Sequence, residues 1–179
     1  MRWLILLLCL SCSQIEDRWQ NYEITEGDHY SHVDGYPLRI FRLEEGRHVA
    51  FIAYFDSDCI YAGNDDINKL YGFTDCNSLV HENSTRFGWR VAGDTIQIFA
   101  YWYNDSKNGY QRIGETIPWR VDHYDMWAKG DSYQYTFNGK TIGAPRGSKC
   151  SHGIRERLFP YFGGSNTAPH TMHIHIREN

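Results

Sequence analysis

The chain has no block of basic residues, and its Lys and Arg are scattered singly along its length. That argues against a nucleic-acid partner and against electrostatic binding to a membrane surface. It has no CxxC pair and no Cys/His spacing of the zinc type. The G-x-S-x-G signature of an esterase is missing. So is the E-x-D-x-x-E strand pattern that would supply a glycosidase with its two flanking carboxylates. The aspartates after Phe55 do not follow the EF-hand spacing. No internal repeat or low-complexity linker divides the chain. No helix longer than a turn or two is expected, apart from DDINKLYG at 65–72.

The long apolar run is confined to the first residues, MRWLILLLCLSC. It is too short to span a bilayer, which takes about 20 apolar residues. Arg2, the run Leu4 to Leu8, and a small residue before a cysteine read as a secretory signal. The stretch resembles a bacterial lipoprotein signal in which Leu10-Ser11-Cys12 ends the lipobox and Cys12 carries the lipid, although Cys9 stands where that pattern has Leu. The resemblance implies an exported protein held to the membrane by a lipid anchor only, in the cell envelope, periplasm or extracellular space. Residues 1–12 are then signal, 13–35 a tether, and 36–179 the folded domain. Without Arg2 the chain keeps 17 basic against 22 acidic residues, a net charge of −5. Beyond Cys9 and Cys12 remain Cys59, Cys76 and Cys150. An oxidising compartment permits one disulfide among them, and the turn residues around Cys76 (TDCNS) and Cys150 (GSKCSHG) favour that pairing. Cys59, at the end of a strand-like run, is left over.

What fills the rest is β-sheet. RHVAFIAYF (47–55) is apolar on both faces, as a central strand is. TRFGWRV and DTIQIFAYWY are joined by a tight turn at Ala92-Gly93. A further turn is expected at Asn108-Gly109 and another at Asn138-Gly139, and SYQYTF points Tyr133, Tyr135 and Phe137 inward. Aromatics at 16% suit half-buried pleated strands. The expected fold is all-β: a single antiparallel β-sandwich of the jelly-roll or concanavalin-like kind, with little helix. Between Phe55 and Arg86 lie some thirty residues with no clear strand, and connections of that length are often functional.

NDDINKLYGFTDCNS, HENSTRFGWR and LFPYFGGSNTAPH resemble motifs of secreted or lipid-anchored β-sandwich proteins of Bacteroidetes-type bacteria. The likeness covers about residues 45 to 176 and implies an address and a fold, not a reaction. The YTFNGKTI hairpin resembles the sheets of concanavalin-like jelly rolls.

Four groups of residues carry candidate chemistry. In HTMHIHI (170–176), period two puts His173 and His175 on one face and Met172, Ile174 and Ile176 on the buried other. A strand H-x-H pair can chelate zinc. The local sequence supplies no third ligand and places Arg177 on the same face, so the pair reads as a hydrogen-bonding wet face. His170 follows Pro169 in a Gly163-Gly164 loop that would fix polar groups at the sandwich edge. Asp56, Asp58, Asp65 and Asp66 are candidate calcium ligands, since calcium takes six to eight oxygens, although Asp65 and Asp66 would equally cap the short helix; no other cofactor is expected. Phe99, Tyr101 and Tyr103 alternate on one strand face with Trp119 and Trp127 near in sequence, a surface on which sugar rings stack. Finally, Arg86 with His81 or Tyr101 would serve a lyase acting on acidic sugars, the arginine neutralising the uronate carboxylate and the partner taking the C5 proton.

Jelly-roll alginate lyases are similar in two short motifs. Gln97-Ile98-Phe99 stands where they carry Gln-Ile-His, and Tyr161-Phe162 matches their C-terminal Tyr-Phe. Phe99 replaces their catalytic histidine, and their arginine-bearing first motif is absent. The expectation from sequence is therefore a non-catalytic glycan-binding or envelope-associated module whose partner is a glycan or cell-envelope component. A polysaccharide lyase and a structural domain of a surface assembly are the alternatives.

Overall fold

The computed structural model describes residues 19–35, 40–43, 48–62, 66–147, 150 and 153–179. Residues 1–12, expected as a signal, with Cys12 among them, and Asp65 lie outside the described residues. Thirteen strands are described: β1 Gln20–Ile24, β2 Ser31–Val33, β3 Ile40–Leu43, β4 His48–Phe55, β5 Asn68–Thr74, β6 Ser84–Ala92, β7 Thr95–Asn104, β8 Lys107–Thr116, β9 Asp122–Lys129, β10 Ser132–Phe137, β11 Lys140–Pro145, β12 Gly153–Leu158 and β13 Met172–Glu178. They form a seven-stranded sheet in the order β11-β10-β9-β4-β13-β1-β2 and a six-stranded sheet in the order β3-β12-β5-β6-β7-β8. All named pairings are antiparallel. The expected sandwich is the fold.

The two sheets bury their apolar faces against each other because strands alternate in and out. Phe51 of β4 stacks on Tyr124 of β9 with centroids 4.8 Å apart, and Phe87 of β6 meets Tyr124 and Tyr135 edge-on across the interface. Met172, Ile174 and Ile176 of β13 are fully buried, as are Tyr133 and Tyr135. β4 lies between β9 and β13, the central place its two apolar faces implied.

Three local expectations are corrected. DDINKLYG does not form a helix: Asn68–Thr74 is strand β5, all seven residues buried. Covered on both faces, β5 shows neither alternation nor an apolar run, which is why it reads as loop. Its polar residues are satisfied internally, Asn68 donating to Tyr61 Oη at 2.7 Å and accepting from the Gly163 N–H. Second, the β7–β8 turn is at Asp105-Ser106, both at positive φ (49° and 63°), the geometry of a tight hairpin. Asn108-Gly109 is inside β8, where the missing Cβ lets the Trp102 ring lie across Gly109. Third, the segment expected as a tether contains β1 and β2, and β1 pairs with β13 from Gln20↔Ile176 to Ile24↔Met172.

Cys76 and Cys150 are bonded, and Cys59 is free and buried. Beside the disulfide, the fully buried Asp75 pairs with Arg146 at 2.6 Å and Arg155 at 3.0 Å and accepts from Tyr133 Oη at 2.9 Å. The bond closes a loop across a sequence separation of 74. Chain-entropy arguments give such a loop about 4 kcal/mol of stabilisation. A Cys76→Ser/Cys150→Ser chain should therefore melt well below the parent in a circular-dichroism thermal scan, while the parent shifts equally on reduction.

Candidate functional site

The outer face of the six-stranded sheet is built by β5, β6 and β7. Opposed positions there are Lys69↔Gly88, Gly72↔Arg86 and Arg86↔Tyr101. Each long cation thus faces a glycine on the neighbouring strand. A Cβ on Gly72 would sit 2.6 Å from Arg86 Cγ and closer still to the Thr85 carbonyl, so the bare backbone is what lets the arginine stem lie flat. Lys69 Nζ stands 4.9 Å from the Tyr101 ring centroid and 6.0 Å from that of Tyr161, and the Arg86 guanidinium stands 5.4 Å from the Tyr101 ring. Tyr161 arrives on the loop after β12, tied to Lys69 by two backbone hydrogen bonds of 2.8 and 3.0 Å. His29 stacks on its ring and Tyr30 packs edge-on.

The electrostatics are unusual for a buried patch. Among the described residues, no carboxylate lies within ion-pair distance of Lys69 or Arg86, which are only 9% and 6% exposed. Lys69 donates to the Gly163 carbonyl at 3.1 Å, and Arg86 Nε is buried with no hydrogen-bond partner. Burial, with Arg86 next to it, pulls the Lys69 ammonium down to about 8, against the weaker opposing pull of Asp66. Burial also lowers Arg86 from its ordinary value, against the pull of the surrounding tyrosine hydroxyls. Burial first, and then the Tyr103 hydroxyl, push Tyr101 up, so it holds its proton. Burying two cations side by side with no ion-pair partner among the described residues costs stability unless an anion arrives.

The residues expected from sequence fall on both faces of the sandwich. His81, Arg86 and Tyr101 share one face along a line of rings: Tyr103 is 5.9 Å from Tyr101, and the exposed His81 is 5.1 Å from Tyr103. His81 is therefore separated from the cations by two rings. Phe99 and Tyr101 are not an open platform. They are 3% and 5% exposed, Arg90 lying over Phe99 and Lys69 over Tyr101. Trp119 and Trp127 do not extend this surface. Trp119 is 60% exposed in the β8–β9 turn, 6.1 Å from Tyr54, and Trp127 packs on His48 at 4.3 Å. Both belong with the seven-stranded sheet, because β9 crosses over to pair with β4.

His170, His173 and His175 are also on that opposite side. His170 Nε2 is 2.6 Å from the Asp58 carbonyl. Among the described residues, Asp56, Asp58 and Asp66 do not form one site. Asp56 and Asp58 follow β4 and lie against His175 and His173, whereas Asp66 precedes β5 and accepts from the Gly164 N–H and Asn166 Nδ2. Lys69 is the functional candidate that sequence reasoning missed. Its signal was there once β5 is read as a strand: a lysine on the same face as the arginine of the next strand, with a glycine opposite each.

No family model matches this chain, and no curated protein matches it in sequence. Solved structures match in fold. The alginate lyase AlyC3 in complex with dimannuronate has a TM-score of 0.56 at 8% identity, covering 89% of this chain and 72% of that one. An alginate lyase from Chlorella virus gives 0.55 at 11% identity over 88% and 81%. An alginate lyase from Pseudomonas aeruginosa gives 0.51 at 7%, covering 74% of this chain, which spans 63% of that protein's length. The chain shares their jelly-roll fold. These neighbours correct the expectation of a non-catalytic glycan-binding or envelope module, since the weight of the comparison lies with lyases.

Proposed function

We propose that the protein is a polysaccharide lyase that cleaves acidic glycans by β-elimination. One observation supports this above the rest: two adjacent buried cations, Lys69 and Arg86, with no carboxylate partner among the described residues and a protonated tyrosine between them. An incoming uronate supplies the missing negative charge. Arg86 neutralises its carboxylate, which makes the C5 proton acidic and stabilises the charge that develops as it leaves. Lys69, brought down to about 8, is the base that takes that proton. The C5–H electrons form the C4=C5 double bond, the C4–O4 bond breaks, and Tyr101 gives its proton to the departing oxygen. Solvent then returns Lys69 and Tyr101 to their starting states. His81, beyond Tyr103, touches the glycan chain away from the reacting sugar.

The reading is tested by incubating the purified chain with a panel of polyuronates and following the ultraviolet absorbance of unsaturated ends. Growth of that signal on at least one polymer is expected, and new reducing ends without it would mean hydrolysis instead. The pH dependence has a definite sign. Lys69 must be neutral to act, so kcat/KM should climb as pH rises through about 8. Lys69→Arg, permanently charged, should lose both the activity and that limb of the profile.

The N-terminal signal and the Cys76–Cys150 bond fit action outside the cytoplasm, with Cys12 as the lipid-bearing residue. Labelling of the mature protein by a fatty-acid analogue, lost in Cys12→Ala, is the expected result.

A further inference from the structure

We propose that the Cys76–Cys150 bond is a thiol-exchange site: an incoming thiolate joins to Cys76, and Cys150 leaves as a thiolate held by two arginines. From the sequence the bond is only a staple between two turns. The fold brings two guanidinium groups onto it. Arg155 Nη2 donates to Cys150 Sγ at 3.2 Å, and Arg146 Nη2 stands 3.8 Å from Cys76 Sγ and 3.9 Å from Cys150 Sγ. Arg146 and Arg155 are 5% and 2% exposed. Among the described residues, Asp75 is the one carboxylate at ion-pair distance from either. Two buried positive charges therefore face one negative charge and a pair of neutral sulfurs. Arg155 Nε, moreover, is buried with no hydrogen-bond partner among the described residues. One more negative charge balances the cluster, and a cysteine thiolate is in place to carry it once the bond opens.

The two sulfurs are not equivalent. Neighbouring cations favour a thiolate and a neighbouring carboxylate opposes it. Asp75 has a carboxylate oxygen within 4.8 Å of both sulfurs, so it opposes a thiolate at either. At Cys150 two guanidinium groups outweigh it, one of them donating directly. At Cys76 the cation in range is Arg146, and Asp75 offsets it. The sulfur whose thiolate is better stabilised is the better leaving group, so attack falls on Cys76. Access agrees. Cys76 and Asn77 form a tight turn, with φ of 50° and 58°, closed by Ser78 N–H donating to the Asp75 carbonyl at 2.9 Å. Asn77 is exposed, and Cys76 is half-buried beside it.

The exchange has a defined course. A thiolate attacks Cys76 Sγ, a new S–S bond forms there, and the electron pair of the old one goes to Cys150 Sγ. A monothiol such as glutathione stops at this mixed disulfide. A protein dithiol continues: its second thiol gives up a proton and attacks the partner's own sulfur in the mixed disulfide. Cys76 is released and takes a proton, and the dithiol leaves as a disulfide, having given two electrons. The partner class is therefore a dithiol reductant. The bond joins the chain just after β5 to the chain just before β12, and those strands pair at Arg157↔Phe73 and Leu158↔Gly72. Opening it frees the far end of the strand that carries Lys69.

The test exposes the disulfide-bonded protein to reduced glutathione at neutral pH, quenches with acid, blocks free thiols with N-ethylmaleimide and maps the cysteines by mass spectrometry. A purely structural disulfide resists glutathione. Here glutathione on Cys76 with maleimide on Cys150 should outnumber the reverse pattern by about tenfold. Arg155→Met should slow adduct formation and even out the two patterns, whereas Arg155→Lys, which keeps the charge, should preserve the preference for Cys76. Cys59→Ser should change neither. The absence of any adduct on the parent protein overturns the proposal, without any variant having to fold. So does an adduct spread equally over both cysteines or placed mainly on Cys150, and so does a preference that Arg155→Met leaves intact in a chain shown by circular dichroism to be folded.

Discussion

Replacing Arg86 with methionine is expected to lower kcat/KM on a polyuronate by about 10²–10³-fold, the loss seen when one donor to a developing oxyanion is removed. The same change should leave the melting temperature equal to the parent's or higher. Arg86 is 6% exposed, its Nε has no partner, and it has no carboxylate within ion-pair distance among the described residues. Methionine keeps the apolar stem over Gly72 and removes a buried charge whose desolvation works against folding. Groups held at a cost to stability are characteristic of functional sites. Steady-state kinetics and a thermal melt on the same sample check both halves. A stability loss matching the loss of activity would make Arg86 a structural residue instead.

Asp75→Ala should do the reverse, costing about 3–5 kcal/mol of stability, the usual effect of removing one partner from a buried ion pair. Asp75 is fully buried and holds Arg146, Arg155 and the Tyr133 hydroxyl. Without it two guanidinium groups remain inside the protein with no counter-charge. For a chain of this size that is a drop in melting temperature of about 6–20 °C, measurable by circular dichroism with the disulfide intact. An unchanged melt would mean that solvent reaches this cluster. Arg86 and Arg146 are both buried arginines, and it is the carboxylate beside Arg146, with none at ion-pair distance from Arg86 among the described residues, that puts Arg86 in the proposed site and Arg146 in the scaffold.

How far these features could be read from the sequence depended on whether a strand has a dry face and a wet one. β13 and β10 alternate cleanly, so the burial of Met172, Ile174 and Ile176 and of Tyr133, Tyr135 and Phe137 was visible in advance. So was the Asn138-Gly139 turn, with φ of 47° and 84°. β5 has no wet face, and with it Lys69 was hidden in what looked like loop. The phenol and ring surface of Phe99 and Tyr101 was placed on the correct strand face, but period two cannot say that Arg90 and Lys69 lie across it. The His173–Asp58 and His175–Asp56 contacts join residues more than a hundred positions apart, and only the β4–β13 pairing creates them.

Mass spectrometry of the products from a polyuronate digest tests the account most directly. Elimination at the Lys69–Arg86–Tyr101 face yields oligosaccharides whose new non-reducing end is one water lighter than the hydrolytic product, and Lys69→Arg yields none. Digestion products that all carry the added water, or none from any polyuronate with the folded parent chain, would contradict it.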